Sequence, residues 1–198
     1  MQDSDADAIY EQAIELKNSR TYRITEYQQL ICLFKQAAML YAMHNSRLKA
    51  ALAFKQLGIT YLSVKKYYYA VNPLNFSLIF NYDEDVLSLF IECGLKSKRF
   101  LQVAETIYKM SQIQEDLKLK YELLCQALKY FQMEIMNVNC LIDLTIVSLQ
   151  LNDLESAQIY VVQVLDRCEA EFKGKFETIL SIIQNQSSSS DILNAVQQ

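Results

Sequence analysis

Apolar residues recur along this chain at three- and four-residue intervals, the spacing that lines one side of a helix, rather than in the alternation of a strand. Leu30, Phe34, Ala37 and Tyr41 share one face of a segment predicted to be helical over about 25–43. Ala50, Ala53, Phe54, Leu57 and Tyr61 form the next stripe, with Asn45 or Ser46 as its N-cap. A third stripe, Val86, Leu89, Phe90 and Cys93, follows Asp83-Glu84-Asp85, where carboxylates suit the positive end of a helix dipole. Beyond it the period is regular: Phe100, Val103, Ala104, Ile107 and Met110; then Leu117, Tyr121, Leu124, Leu128 and Phe131; then Leu141, Leu144, Val147 and Leu151. Asn152 with Glu155 three residues on reads as a capping box opening a helix that carries Leu154, Ala157, Val161, Val164 and Cys168.

Two stretches interrupt this regularity. Pro73 sits inside the apolar segment 67–82, and a proline deprives a helix interior of one donor, so a short helix on each side of a break is expected there. A first helix over about 5–17 and a last one over about 173–184 complete a count of eight to ten, and Ser187 to Ser190 predict a linker.

Across these helices a phrase returns. Leu33-Phe34-Lys35-Gln36-Ala37-Ala38-Met39-Leu40-Tyr41 is echoed by Leu124-Cys125-Gln126-Ala127-Leu128-Lys129-Tyr130-Phe131. Small residues let two backbones approach, and the flanking large ones fill the groove between them. The expected fold is all-α, a TPR-like right-handed superhelix of antiparallel helix pairs spanning 1–185, with 186–198 as a Ser-rich flexible tail.

Composition agrees with this and narrows the function. At 52% hydrophobic, with three Gly and one Pro in 198 residues, the chain is too apolar for disorder and too poor in turn formers for short strands. A net charge of −4 argues against nucleic acid as partner. No apolar run reaches membrane-spanning length, and the acidic, polar start is unlike a secretory or transit signal. Cys32, Cys93, Cys125, Cys140 and Cys168 are odd in number and set among apolar residues, so they read as reduced core residues of a cytoplasmic protein.

Candidate chemistry is sparse. His44 is the lone histidine, placed at a predicted helix end, and no metal-ligand spacing or Gly-rich phosphate loop is present. No catalytic, cofactor or metal site is expected, and the chain reads as a non-enzyme. Lys96, Lys98 and Arg99 form the clearest basic cluster, joined by Lys65 and Lys66; a partner-binding ridge is weighed there against a solvated loop. Tyr67-Tyr68-Tyr69 cannot all face one core from a helix, so at least one is expected to be exposed or to meet a partner, with Tyr67 and Tyr68 the candidates.

With the helices placed, Phe34 to Tyr41 followed by Lys49-Ala50-Ala51-Leu52-Ala53-Phe54 resembles the first full repeat of the soluble NSF attachment proteins, the SNAP family. Arg99-Phe100-Leu101-Gln102-Val103-Ala104 resembles that family's Gly-Arg-Phe-x-x-Ala-Ala turn. Tyr121, Ala127, Tyr130, Phe131, Glu134, Cys140 and Leu141 follow in the family's order, and 153–160 resembles its next helix. The resemblance runs over roughly residues 10–168. It implies an adaptor that lies on the SNARE four-helix bundle, peripheral at membranes in vesicle-mediated transport, and recruits the AAA+ ATPase NSF for SNARE disassembly. Three features depart from the pattern. The family's inner-face lysines map to Glu105, Asn139 and Asp143; its membrane loop is shortened to Arg20-Thr21-Tyr22-Arg23; and its C-terminal bundle has no evident counterpart. The alternative reading is a helical-repeat interaction scaffold of an unrelated assembly.

Overall fold

The computed structural model describes residues 3–19, 24–133, 137–167 and 170–184. Every regular element among them is an α-helix. The chain divides into two compact units, residues 1–99 and 100–198. The segment 186–198, read as a tail, lies outside the described residues, as do Arg20 to Arg23, Glu134 and Cys168.

The first unit holds α1 (Ser4–Asn18), α2 (Ile24–Met43), α3 (Arg47–Ser63), α4 (Tyr67–Phe80) and α5 (Glu84–Lys96). Each packs on the next in chain order, and the three-residue turns between α2, α3, α4 and α5 make those neighbours antiparallel. Its core is built on the repeated phrase. Leu30, Phe34, Ala37 and Ala38 of α2 meet Ala50 and Ala53 of α3 and Ala6 and Ala13 of α1, all fully buried. Alanine at these positions is what brings the helix axes close.

The second unit holds α6 (Phe100–Gln112), α7 (Leu117–Phe131), α8 (Val138–Gln150), α9 (Leu154–Leu165) and α10 (Ala170–Gln184), again packed in sequence order. Leu124, Ala127, Leu128 and Phe131 of the echoed phrase are buried here as their counterparts are in α2.

Four turns share one geometry. Asn45, Lys65, Lys98 and Asn152 have φ between 57° and 60°, the left-handed conformation. In each, the following residue's N–H reaches back five residues: Ser46 to Tyr41, Lys66 to Tyr61, Arg99 to Gly94 and Asp153 to Ser148, at 2.8–3.0 Å. These are Schellman closures, which satisfy the free carbonyls of a helix end and turn the chain at once.

Three sequence expectations are corrected. No break occurs at Pro73: α4 runs unbroken from Tyr67 to Phe80 with Pro73 inside it. Val71, Leu74 and Leu78 are fully buried, and that packing outweighs the lost Tyr69–Pro73 hydrogen bond. The N-cap of α9 is Asp153, whose carboxylate accepts from the Ser156 N–H, whereas Asn152 is the left-handed residue of the preceding turn. Likewise neither Asn45 nor Ser46 caps α3 through its side chain: Asn45 is left-handed, and the Ser46 hydroxyl donates to Asp3 at 2.7 Å instead.

Candidate functional site: an aromatic groove ending in a basic cluster

The tyrosine run opens α4, and the helix carries no charged side chain over its 14 residues. A helix that is apolar all round needs cover on every side. One side gets it: Ala70, Leu74, Ser77 and Leu78 are buried, and the Ser77 hydroxyl donates to the Ala51 carbonyl of α3 at 2.9 Å. Gly58 of α3 lets Leu74 in; a Cβ at that position would stand 2.5 Å from the nearest Leu74 methyl.

The other side of α4 remains open and forms one wall of a groove of about 410 Å³. Tyr68, Tyr69, Asn72, Pro73 and Phe76 make this wall, Phe54, Leu57 and Tyr61 of α3 the floor, and Lys35 and Met39 of α2 the far wall. Leu57 at the bottom is 3% exposed, whereas Phe76 is 47%, Met39 51% and both Tyr68 and Tyr69 57% exposed. The rings are held in place by one another: Phe54 lies 5.2 Å from Phe76, and Tyr61 stacks on Tyr69 at 5.8 Å. Pro73 also has no N–H to give the Tyr69 carbonyl, so the turn that faces the groove lacks one helical hydrogen bond.

The basic residues singled out from the sequence gather at the start of α4 and the end of α5. The Lys96 ammonium lies 4.4 Å from the Tyr67 ring centre, donates to its hydroxyl at 3.2 Å, and pairs with Glu92. Glu92 first, and then Tyr67, hold Lys96 charged above the usual lysine range. The Arg99 guanidinium stacks 3.8 Å from the Tyr68 ring centre and donates to the Asn72 side chain at 3.2 Å. Lys66 lies within 6.0 Å of the Tyr69 ring and 5.9 Å of Tyr27. Lys65 and Lys98 are the left-handed residues of their turns, both exposed. The groove therefore ends, at Tyr68 and Tyr69, in a set of cations stacked on its own rings.

At least one of the three tyrosines is exposed, as expected: Tyr68 and Tyr69 are, whereas Tyr67, the other named candidate, is half-buried and does not line the groove. Sequence reasoning missed Lys35, Met39, Phe54, Leu57, Tyr61, Tyr69, Asn72, Pro73 and Phe76 as groove residues. The available signal was the absence of charge along 67–80.

Elsewhere the sequence candidates are structural. His44 ends α2, its Nδ1 3.4 Å from the Asp3 carboxylate. No group of three or more His, Cys, Asp or Glu able to hold a metal occurs among the described residues. Asp143 accepts from the Tyr108 hydroxyl at 2.6 Å and from Gln112 at 2.9 Å, tying α8 to α6. Cys93 and Cys140 are buried as expected, and burial pushes their thiols up to about 11 and about 12. Cys32 is exposed, a correction to the core reading, because it lies on the side of α2 opposite Phe34 and Ala37.

No family model matches this sequence, and no curated protein matches it. Among solved structures, the nearly identical TPR-like repeats assigned to a kinesin light chain of Podosopora anserina are similar over 98% of this chain and 94% of that one, at 14% identity and a TM-score of 0.43. A likeness of that size carries no argument about function; the all-α architecture stands on the helices themselves.

Proposed function

We propose that this chain is a non-enzymatic protein-interaction scaffold that holds a partner in the groove over α3. One observation carries the reading: four large apolar side chains from α2 and α4, each about half exposed, surround a buried floor in one continuous depression. Scattered exposed apolar residues need no explanation, but a walled patch of this kind marks a binding surface. The test places a photo-crosslinking amino acid at Phe76 of the full chain in cells, with Leu48, 66% exposed on α3 and outside the groove, as the control position. Protein adducts from position 76 and none from 48 support a partner in the groove. Equal yields at both positions remove it.

The finer reading is an adaptor of the SNAP type, which takes the SNARE four-helix bundle and recruits an NSF-type ATPase at the cytoplasmic side of membranes. Its support is the order of residues set out above and the gathering of Lys65, Lys66, Lys96, Lys98 and Arg99 at one end of the first unit. This reading places the chain peripherally at membranes; no helix among the described residues is long and apolar enough to cross one. A pull-down with the assembled SNARE bundle, with and without NSF, at low and physiological salt, decides it. Salt-sensitive binding with NSF recruitment supports the adaptor; no binding at low salt leaves only the scaffold.

A further inference from the structure

We infer that the groove takes a single acidic amphipathic helix with an open apolar stripe, and not an assembled helical bundle. This rests on the scaffold reading and specifies its partner. The exposed wall of α4 runs from Tyr68 to Phe76, about 12 Å of helix at the usual rise and so roughly two turns. A partner helix laid along it would seat side chains at positions i and i+4 over Leu57, the helix-in-groove mode of recognition. An assembled bundle has already buried its apolar seam and has nothing to place on that floor.

Charge sets the sign of the partner. No Asp or Glu lines the groove, although acidic residues outnumber basic ones in the whole chain, 23 to 19. Lys35 projects from the α2 wall and has no ion pair, hydrogen bond or ring contact among the described residues. At the other side Arg99 covers Tyr68 and Lys66 stands beside Tyr69. An apolar floor flanked by cations complements a helix with carboxylates on either side of its apolar stripe. Glu92 is paired with Lys96 and does not line the groove.

The experiment measures fluorescence anisotropy of labelled designed helices with the full chain. The probes are roughly 16 residues long, enough for a helix to form. One carries Leu at i, i+4 and i+7 with Glu on both flanks; a second replaces Glu by Lys, and a third replaces Leu by Ser. The acidic Leu peptide is expected to bind at least about tenfold tighter than either control, and to weaken severalfold from low to physiological salt. Lys35→Glu and Met39→Glu should each weaken it by about tenfold or more, while Leu48→Glu leaves it unchanged. Lys35, Met39 and Leu48 are all exposed, so the variants should keep the parent's helical circular dichroism. Equal or tighter binding of the Lys peptide overturns the proposal, as does binding indifferent to Lys35→Glu and Met39→Glu. A chain that crosslinks proteins from position 76 but ignores the acidic helix loses this inference and keeps the scaffold reading.

Discussion

The two units of this chain begin their helices differently. In the second, Asp116, Asn137 and Asp153 each accept a backbone N–H from the first turn of α7, α8 and α9. In the first, Asp3, Ser46 and Lys66 make no side-chain cap, and among the described residues Asp83 of α5 does. Two of those cap residues, Asp3 and Ser46, bond to each other between helices instead, beside further ties of the same kind. Ser46 donates to Asp3, Tyr41 donates to Asp7 at 2.6 Å, and Lys49 pairs with Asp7 at 2.9 Å, contacts spanning 34 to 43 residues. The second unit therefore starts α7, α8 and α9 with side-chain caps, whereas α1, α3 and α4 of the first start without one. That is also the unit whose α4 carries an uncharged open wall.

The contrast is sharpest at two glycines. Gly58 lies where α3 meets α4, and a Cβ there falls 2.6 Å from Leu74 Cγ, which is fully buried and has nowhere to go. Gly58→Ala should cost about 1–3 kcal/mol, the usual penalty of overpacking a filled interface. Gly174 in α10 has open space around its Cβ position, so Gly174→Ala should stabilise by up to about 1 kcal/mol through helix propensity. Denaturant unfolding of both variants measures the pair. Equal effects of one sign would break the claim that only the first unit depends on this close approach.

Caps come next in size. Asp153→Ala and Asp116→Ala should each cost about 1 kcal/mol, the value of a side chain that satisfies free donors at a helix start. Ser46→Ala should cost less, since it removes only a half-exposed bond to Asp3. A loss at Ser46 as large as that at Asp153 would place local capping in both units.

The Schellman turns allow a finer comparison, between residue types at one backbone geometry. Asn tolerates the left-handed conformation, but Lys65 and Lys98 adopt it without that advantage. Lys65→Gly and Lys98→Gly should raise stability by roughly 0.5–1 kcal/mol, and Asn45→Gly and Asn152→Gly by less, read as shifts in thermal midpoint. If all four shift alike, the lysine side chains carry no strain at those turns.

Much of this was legible in the sequence, and the failures have physical causes. The stripes through α2, α3, α6, α7, α8 and α9 followed from spacing, because burial on one face is what the period encodes. Asp83 was legible because three acids in a row have few other uses before an apolar run. Asn152 and Asp153 are both competent caps, and only the left-handed turn, a backbone property, decides between them. Pro73 misled because its local penalty is outweighed by Leu74 and Leu78 packing on α3. The groove was invisible for a simpler reason: it is the space between side chains up to about forty positions apart, and only the uncharged run over 67–80 hinted at an open wall.

The smallest expected effect tests whether α1 is held as the comparison says. Hydrogen bonds from Ser46 to Asp3 and from Tyr41 to Asp7, followed by Lys49, hold both carboxyls below the ordinary aspartate value of 3.8. A depressed folded-state value means the contribution is fully present above 3.8 and is lost as pH falls below it, while the carboxyls take up protons. The Tyr41 hydroxyl is shifted the other way, raised above 10.0 by burial and then by Asp7, so the same tie weakens again as pH rises past that point. Water screens both aspartates, so the change should be small and read locally, as faster hydrogen exchange in α1 at each extreme. In Asp7→Asn the acid limb should flatten, because an amide has no proton to gain and still accepts from Tyr41. An acid limb of full size in that variant would mean that the Tyr41–Asp7 tie does not carry the acid sensitivity of α1, and no acid limb in the parent chain would mean that α1 is fastened by its apolar face alone, through Ala6 and Ala13.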